Sequence, residues 1–145
     1  MDKATEFQTL ASAFSLAWKK NVAEEGEPED LQPITPIAWP NVDYAPTVGV
    51  PWVRFNVIPG ESGRAALGKD FVRHVGVIMI QIFTPLGSGE MTARDLADEV
   101  TDIYRGAALS GFRFGEPSIS RTGPDGEGWF MATATIPYQR DEVVT

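Results

Sequence analysis

A chain of 145 residues with 43% hydrophobic and 22% charged residues has the size and balance of one folded domain, not of a collagen-like repeat, a coiled coil or a disordered segment. A formal net charge of −8 argues against general binding to nucleic-acid backbones, whose affinity comes from Lys and Arg displacing counterions. With no cysteine and one histidine, His74, the chain lacks the ligands for disulfides, zinc ribbons, iron–sulfur clusters or a His-based metal site.

The first residues, MDKATEFQTL, show no basic region followed by an apolar one, and no apolar run approaches the ~20 residues that span a bilayer. A cytosolic start without membrane attachment is expected. From Ala4 to Val22, Phe7, Leu10, Ala11, Phe14 and Trp18 fall at helical spacing and predict an amphipathic helix. Residues 23–36 hold five acids and three of the chain's prolines and predict a solvated connection. In IAWPNVDYA, Pro40 restricts any strand to a short or edge one.

In PWVRFNVIP, Val53, Phe55 and Val57 alternate with Arg54 and Asn56, the pattern of a half-buried strand. After GESGRAALGKD comes the longest apolar run, DFVRHVGVIMIQIFTP. There His74, Gly76, Ile78, Ile80 and Ile82 share one parity and Arg73 to Phe83 the other, so a central strand is expected, exposed at its start and covered on both faces from Val75 onward. Thr92 and Asp95 resemble a capping box before Leu96, Ala97, Val100, Ile103 and Tyr104, which predict a second helix closed by Gly106. FRFGEPSISRT and GWFMATATIPY flank TGPDGEG and predict a C-terminal hairpin. The order implies a single α+β domain: a mainly antiparallel, mixed sheet with two main helices packed on it. Its parts are a helix over 1–22, the connection over 23–36, sheet and second helix over 37–138, and a tail over 139–145.

Catalytic signatures are thin. No G-x-S-x-G elbow occurs, and His74, near the exposed start of a strand, reads as an edge or packing histidine in preference to a general base. Gly87-Ser88-Gly89 lacks the third glycine of a dinucleotide turn and the lysine of a P-loop, so it reads as a strand-to-helix turn. Asp95, Asp98, Glu99 and Asp102 describe a solvated helix face. No catalytic residue, cofactor or metal is expected.

Charge placement says more. Residues 51–75 form the only net-positive segment, with Arg54, Arg64, Lys69 and Arg73 against two acids, and its loop from Glu61 to Asp70 suits a neighbour's acidic face. Trp39 and Trp52 sit beside prolines at strand edges, where interface anchors are found, and Arg140 lies in a polar terminus that a neighbour would order. These seven residues, Arg54, Arg64, Lys69, Arg73, Trp39, Trp52 and Arg140, are the candidate subunit interface.

The order of landmarks, WPNVDYAP, PWVRFNVIPG, a Gly-rich basic loop, RHVGVIMIQIFTPLGSG, LADEVTDIYRG and GWFMATATIPYQRDE, resembles the tail-terminator-like proteins of long-tailed bacteriophages from about residue 4 to residue 142. The acidic stretch EEGEPEDLQPITP is longer than the corresponding connection of that family. The resemblance implies an α+β fold, no enzymatic activity and a structural role: a six-membered ring on the head-proximal end of the tail tube that stops tube polymerisation and meets the head connector. Its implied partners are further copies of itself, the major tail tube protein and the head–tail connector protein, with DNA passing through the lumen without specific binding. The implied location is the virion, after assembly in the host cytoplasm. Acids lining such a channel would repel DNA and leave it mobile. Two rival readings are a connector ring protein of the same phage and a small-ligand-binding or enzymatic domain. The second requires His74 and the Gly87–Thr92 turn to share a pocket.

Overall fold

The computed structural model describes residues 1–64 and 71–143. Asp2 starts the first helix, α1 (Lys3–Ala17), by accepting the Thr5 amide on Oδ1 at 2.7 Å. Phe7, Leu10, Ala11 and Phe14 turn one face of α1 to the core, where Phe14 stacks on Phe55 at 5.2 Å and on Trp18 at 5.3 Å. The helix stops at Ala17, short of the expected Val22. Continuation would bring the Val22 N–H to the Trp18 carbonyl. That carbonyl instead accepts from Ile34, while the Val22 N–H donates to Asp30. The chain thereby folds back inside the acidic connection as a two-stranded ribbon, β1 (Lys19–Asn21) against β2 (Leu31–Pro33). Fully buried Trp18 anchors the ribbon through a 3.1 Å bond from its indole N–H to Thr35.

The main sheet runs β3 (Ile37–Ala38), β4 (Trp52–Arg64), β5 (Phe71–Pro85), β8 (Trp129–Val143), with β6 (Phe112–Phe114) and β7 (Ser118–Pro124) end to end along the outer edge of β8. The two-residue β3 lies at an edge, parallel to β4, and the other pairings are antiparallel. The sheet is therefore mixed and mostly antiparallel, and the domain is α+β. β5 is central and pairs along its whole length with β8. Gln139–Val143, expected as a tail, continue β8 because each finds a partner within Phe71–Val75. Gly76 is required where β5 crosses under Tyr138, since a Cβ there would lie 2.6 Å from the Tyr138 hydroxyl and 2.7 Å from the Ile58 carbonyl oxygen.

Between β5 and the second helix, α2 (Met91–Arg105), Gly87 and Gly89 both adopt positive φ in a tight turn. The expected Thr92 cap is absent: Glu90 occupies the N-cap with helix-like φ and ψ, which places Thr92 and Asp95 inside the helix. Ala93, Leu96, Ala97, Val100 and Tyr104 face inward, and Gly106 closes the helix with its N–H on the Asp102 carbonyl. β6 and β7 complete the sheet. Asp125 shapes the β7–β8 hairpin by accepting the Glu127 and Trp129 amides on Oδ1.

Both helices pack on the same face of the sheet, against Val53, Phe55, Ile78, Ile80, Ile82, Ala134 and Ile136. Among the described residues no helix lies over the opposite face. Here the expectation of cover on both sides of β5 is corrected, because Val75 is 37% exposed and Val77, Met79 and Gln81 are only half-buried.

Candidate assembly surfaces

Strand alternation sends Trp52, Arg54, Asn56 and Ile58 of β4 to the open face, opposite the core-facing Val53, Phe55 and Val57. At one end of that face Trp52 stacks flat on Phe83, with ring centroids 4.0 Å apart, and meets the edge of Trp129 at 6.0 Å. Tyr44, carried back by the loop after β3, tilts against it at 5.0 Å. Trp52 is 4% exposed, and its indole N–H has no partner among the described residues. The exposed Arg54 guanidinium lies 5.2 Å from the Trp52 ring and 5.5 Å from that of Phe83, in cation–π reach of both. Among the described residues no carboxylate pairs with Arg54.

Arg73 occupies the same face at its far end and grips Asp141 with two hydrogen bonds, at 2.8 and 3.1 Å. That guanidinium holds the Asp141 carboxyl below the usual carboxylate range. Trp39 is half-buried at the sheet edge, edge-on to Phe55 at 5.6 Å. The backbone of Arg64 pairs with Val72, and Lys69 lies outside the described residues.

Arg140 has an internal partner. It is 4% exposed, and its Nε donates to Oε1 of Glu6, itself 1% exposed, at 3.1 Å. The Tyr138 hydroxyl donates to the other Glu6 oxygen at 3.1 Å; burial chiefly, with the Glu6 charge, raises the Tyr138 pKa. Arg140 also donates to Glu142, which accepts from the Met1 amino group too and contacts His74 Nε2 at 2.9 Å. The Met1 amino group, followed by Arg140 and His74, pulls the Glu142 carboxyl down to about 2. Nδ1 of His74 meets Ser62 Oγ at 2.7 Å. A hydroxyl, an imidazole and a carboxylate are thus in line, as in a hydrolase, but this carboxylate is shared with Arg140 and the amino terminus. The cluster ties the N-terminal end of α1 to the ends of β5 and β8. The sequence reading missed Glu6 as a member, although Glu6, Leu10 and Phe14 recur at four-residue spacing on the inward stripe of α1.

His74 and the Gly87–Thr92 turn lie at opposite ends of β5. Eleven residues separate His74 from Pro85, roughly 36 Å of strand, so the shared pocket that a ligand-binding reading needs does not form. A cavity of about 240 Å³ does lie between α2 and β7, lined by Ala93, Ala97, Ile119, Phe130 and Ala132 with Arg94 and Arg121 at its rim. His74 is not part of it.

These features define a two-layer α+β structural module with helices on one side and an uncovered sheet on the other. The chain belongs to the phage tail terminator protein family, whose model matches residues 10–138. Its role is thereby structural, in the tail of the virion and in association with other virion proteins. One solved structure, 19% identical in sequence, has the same fold with a TM-score of 0.64, over 97% of this chain and 96% of that one. No curated protein sequence matches the chain. No described helix is long and apolar enough to cross a membrane.

Proposed function

We propose that the protein is a tail terminator that closes into a homomeric ring, a hexamer, on the head-proximal end of the tail tube. It stops addition of tube subunits and presents the surface that meets the head connector. The observation that carries this reading is the family match over residues 10–138. The surfaces support it: a closed ring of identical subunits needs two different, mutually complementary patches on each copy. The positive segment around Arg54, Arg64, Lys69 and Arg73 supplies one, and the acidic stretch between β1 and β2 supplies the other. Trp52 lies beneath Arg54 in the first patch, and Trp39 stands at the sheet edge on the helix-covered side. Arg140 contributes by holding the end of β8 in place. DNA passes through the lumen of a −8 subunit's ring without specific binding. The test is polymerisation of the purified tube protein with and without this chain. The expected result is tubes that stop growing at one end, with the chain located at that end. Unchanged tube growth with no chain on the tubes would overturn the reading.

A further inference from the structure

Two surfaces of this chain are poorly matched to water, and they lie on opposite sides of the molecule. The first is the outer face of α1. From Phe7 to Ala17 that helix has no charged residue, although charged residues make up 22% of the chain. It presents Gln8, Ser12 and Leu16 outward, Leu16 at 77% exposure. A surface helix ordinarily carries charges on its outer face, as α2 does with Asp95, Asp98, Glu99 and Asp102. Loss of charge is one compositional mark of an interface core.

The second is the open sheet face. Between Arg54 at one end and the Arg73–Asp141 pair at the other, strands β4 and β5 expose Ile58 at 45% and Val75 at 37% beside half-buried Val77 and Met79, while the cation of Arg113 stands on the outer edge of the same face, on β6 opposite Gln139. An apolar sheet face is ordinarily buried against a second layer, a helix or another sheet. The same chain supplies a charge-free helix face on its other side. Charge supplies the orientation: the C-terminal end of α1 runs into a ribbon whose loop bears Glu24, Glu25, Glu27, Glu29 and Asp30, all exposed. Arg54 waits at one end of the sheet face without a carboxylate among the described residues.

We infer that the occupant of the open sheet face is a second copy of this chain, whose α1 lies across it with the acidic β1–β2 loop reaching Arg54. The contact joins unlike surfaces, so it propagates from copy to copy, as a ring requires. This deepens the ring reading and rests on it.

The chain has no cysteine of its own, which makes paired cysteines an unambiguous test. Leu16→Cys and Val77→Cys are prepared as separate proteins and mixed under mild oxidation, after melting curves confirm that each folds like the parent. The expected result is a cross-linked dimer in the mixture, none from either protein alone, and a ladder of higher species when both substitutions share one chain. Arg54→Glu should abolish the mixed product, and Glu25→Lys with Glu27→Lys in the helix-donating partner should restore it. Self-cross-linking of the Leu16→Cys protein, or no mixed product, would overturn the inference. Rings that form without the mixed cross-link would sink this face assignment alone. A chain that stays monomeric and gives no cross-link would sink the ring reading as well.

Discussion

Removing the Arg140 guanidinium leaves the Glu6 carboxylate, 1% exposed, with the Tyr138 hydroxyl and the half-exposed Lys3 ammonium at 3.6 Å as its remaining partners. Breaking a buried ion pair from one side costs about 3–5 kcal/mol, because the surviving charge has lost its counter-charge without regaining solvent. Arg140→Leu is expected to lower stability by up to that amount in denaturant unfolding, with Lys3 offsetting part of the loss. The double variant Glu6→Met, Arg140→Leu should recover most of the loss, and equal losses in the two would contradict the assignment. Arg140 was expected at a subunit interface because it sits in a polar, charged terminus. That expectation weighed composition above parity. Arg140 alternates in phase with Ile136 and Tyr138, and His74 with Ile78 and Ile80, so both project to the helix-covered side. The phase was legible in the sequence. What was not is the partner, since nothing local in the sequence says that Glu6 crosses to residue 140.

At the scale of elements, the alternation in PWVRFNVIP, the central apolar strand and the Pro-Asp-Gly reversal were all legible, because periodicity and turn chemistry are local signals. The end of α1 was not. Its termination depends on the bond that Trp18 accepts from Ile34 and the one that Val22 donates to Asp30, partners distant in sequence. The open face of β5 was misread for a related reason. A run apolar at both parities fits burial between two layers of one chain and burial between two chains equally well. The paired ends of β5 and β8 yield a prediction with a definite sign. The Glu142 carboxyl is held down to about 2 from an ordinary value of 4.5, so its stabilising contribution is fully present above pH 4.5 and is lost as pH falls toward 2. The groups facing it are the Met1 amino group, Arg140 and His74, with Ser62 behind the imidazole and the Arg73–Asp141 pair across the strands. Hydrogen-exchange protection of Gln139–Val143 is expected to fall relative to Ala132–Ile136 over that range. An unchanged ratio would contradict the role given to Glu142.

For the whole molecule, the sequence reading placed the basic segment and the acidic stretch on one subunit, and the structure adds the surfaces around them. The helices cover one face of the sheet only, leaving one apolar face open and one charge-free helix face outward. Neither is needed to complete the monomer's own core, which already closes around Phe14, Phe55, Ile78, Ile80 and Val100. Self-association gives both a purpose, and the family supplies the context of a phage tail. Native mass spectrometry of the purified chain across a concentration series tests this account most directly. It calls for a dominant hexamer that persists on dilution. A monomer at every concentration would contradict a ring assembled from these surfaces.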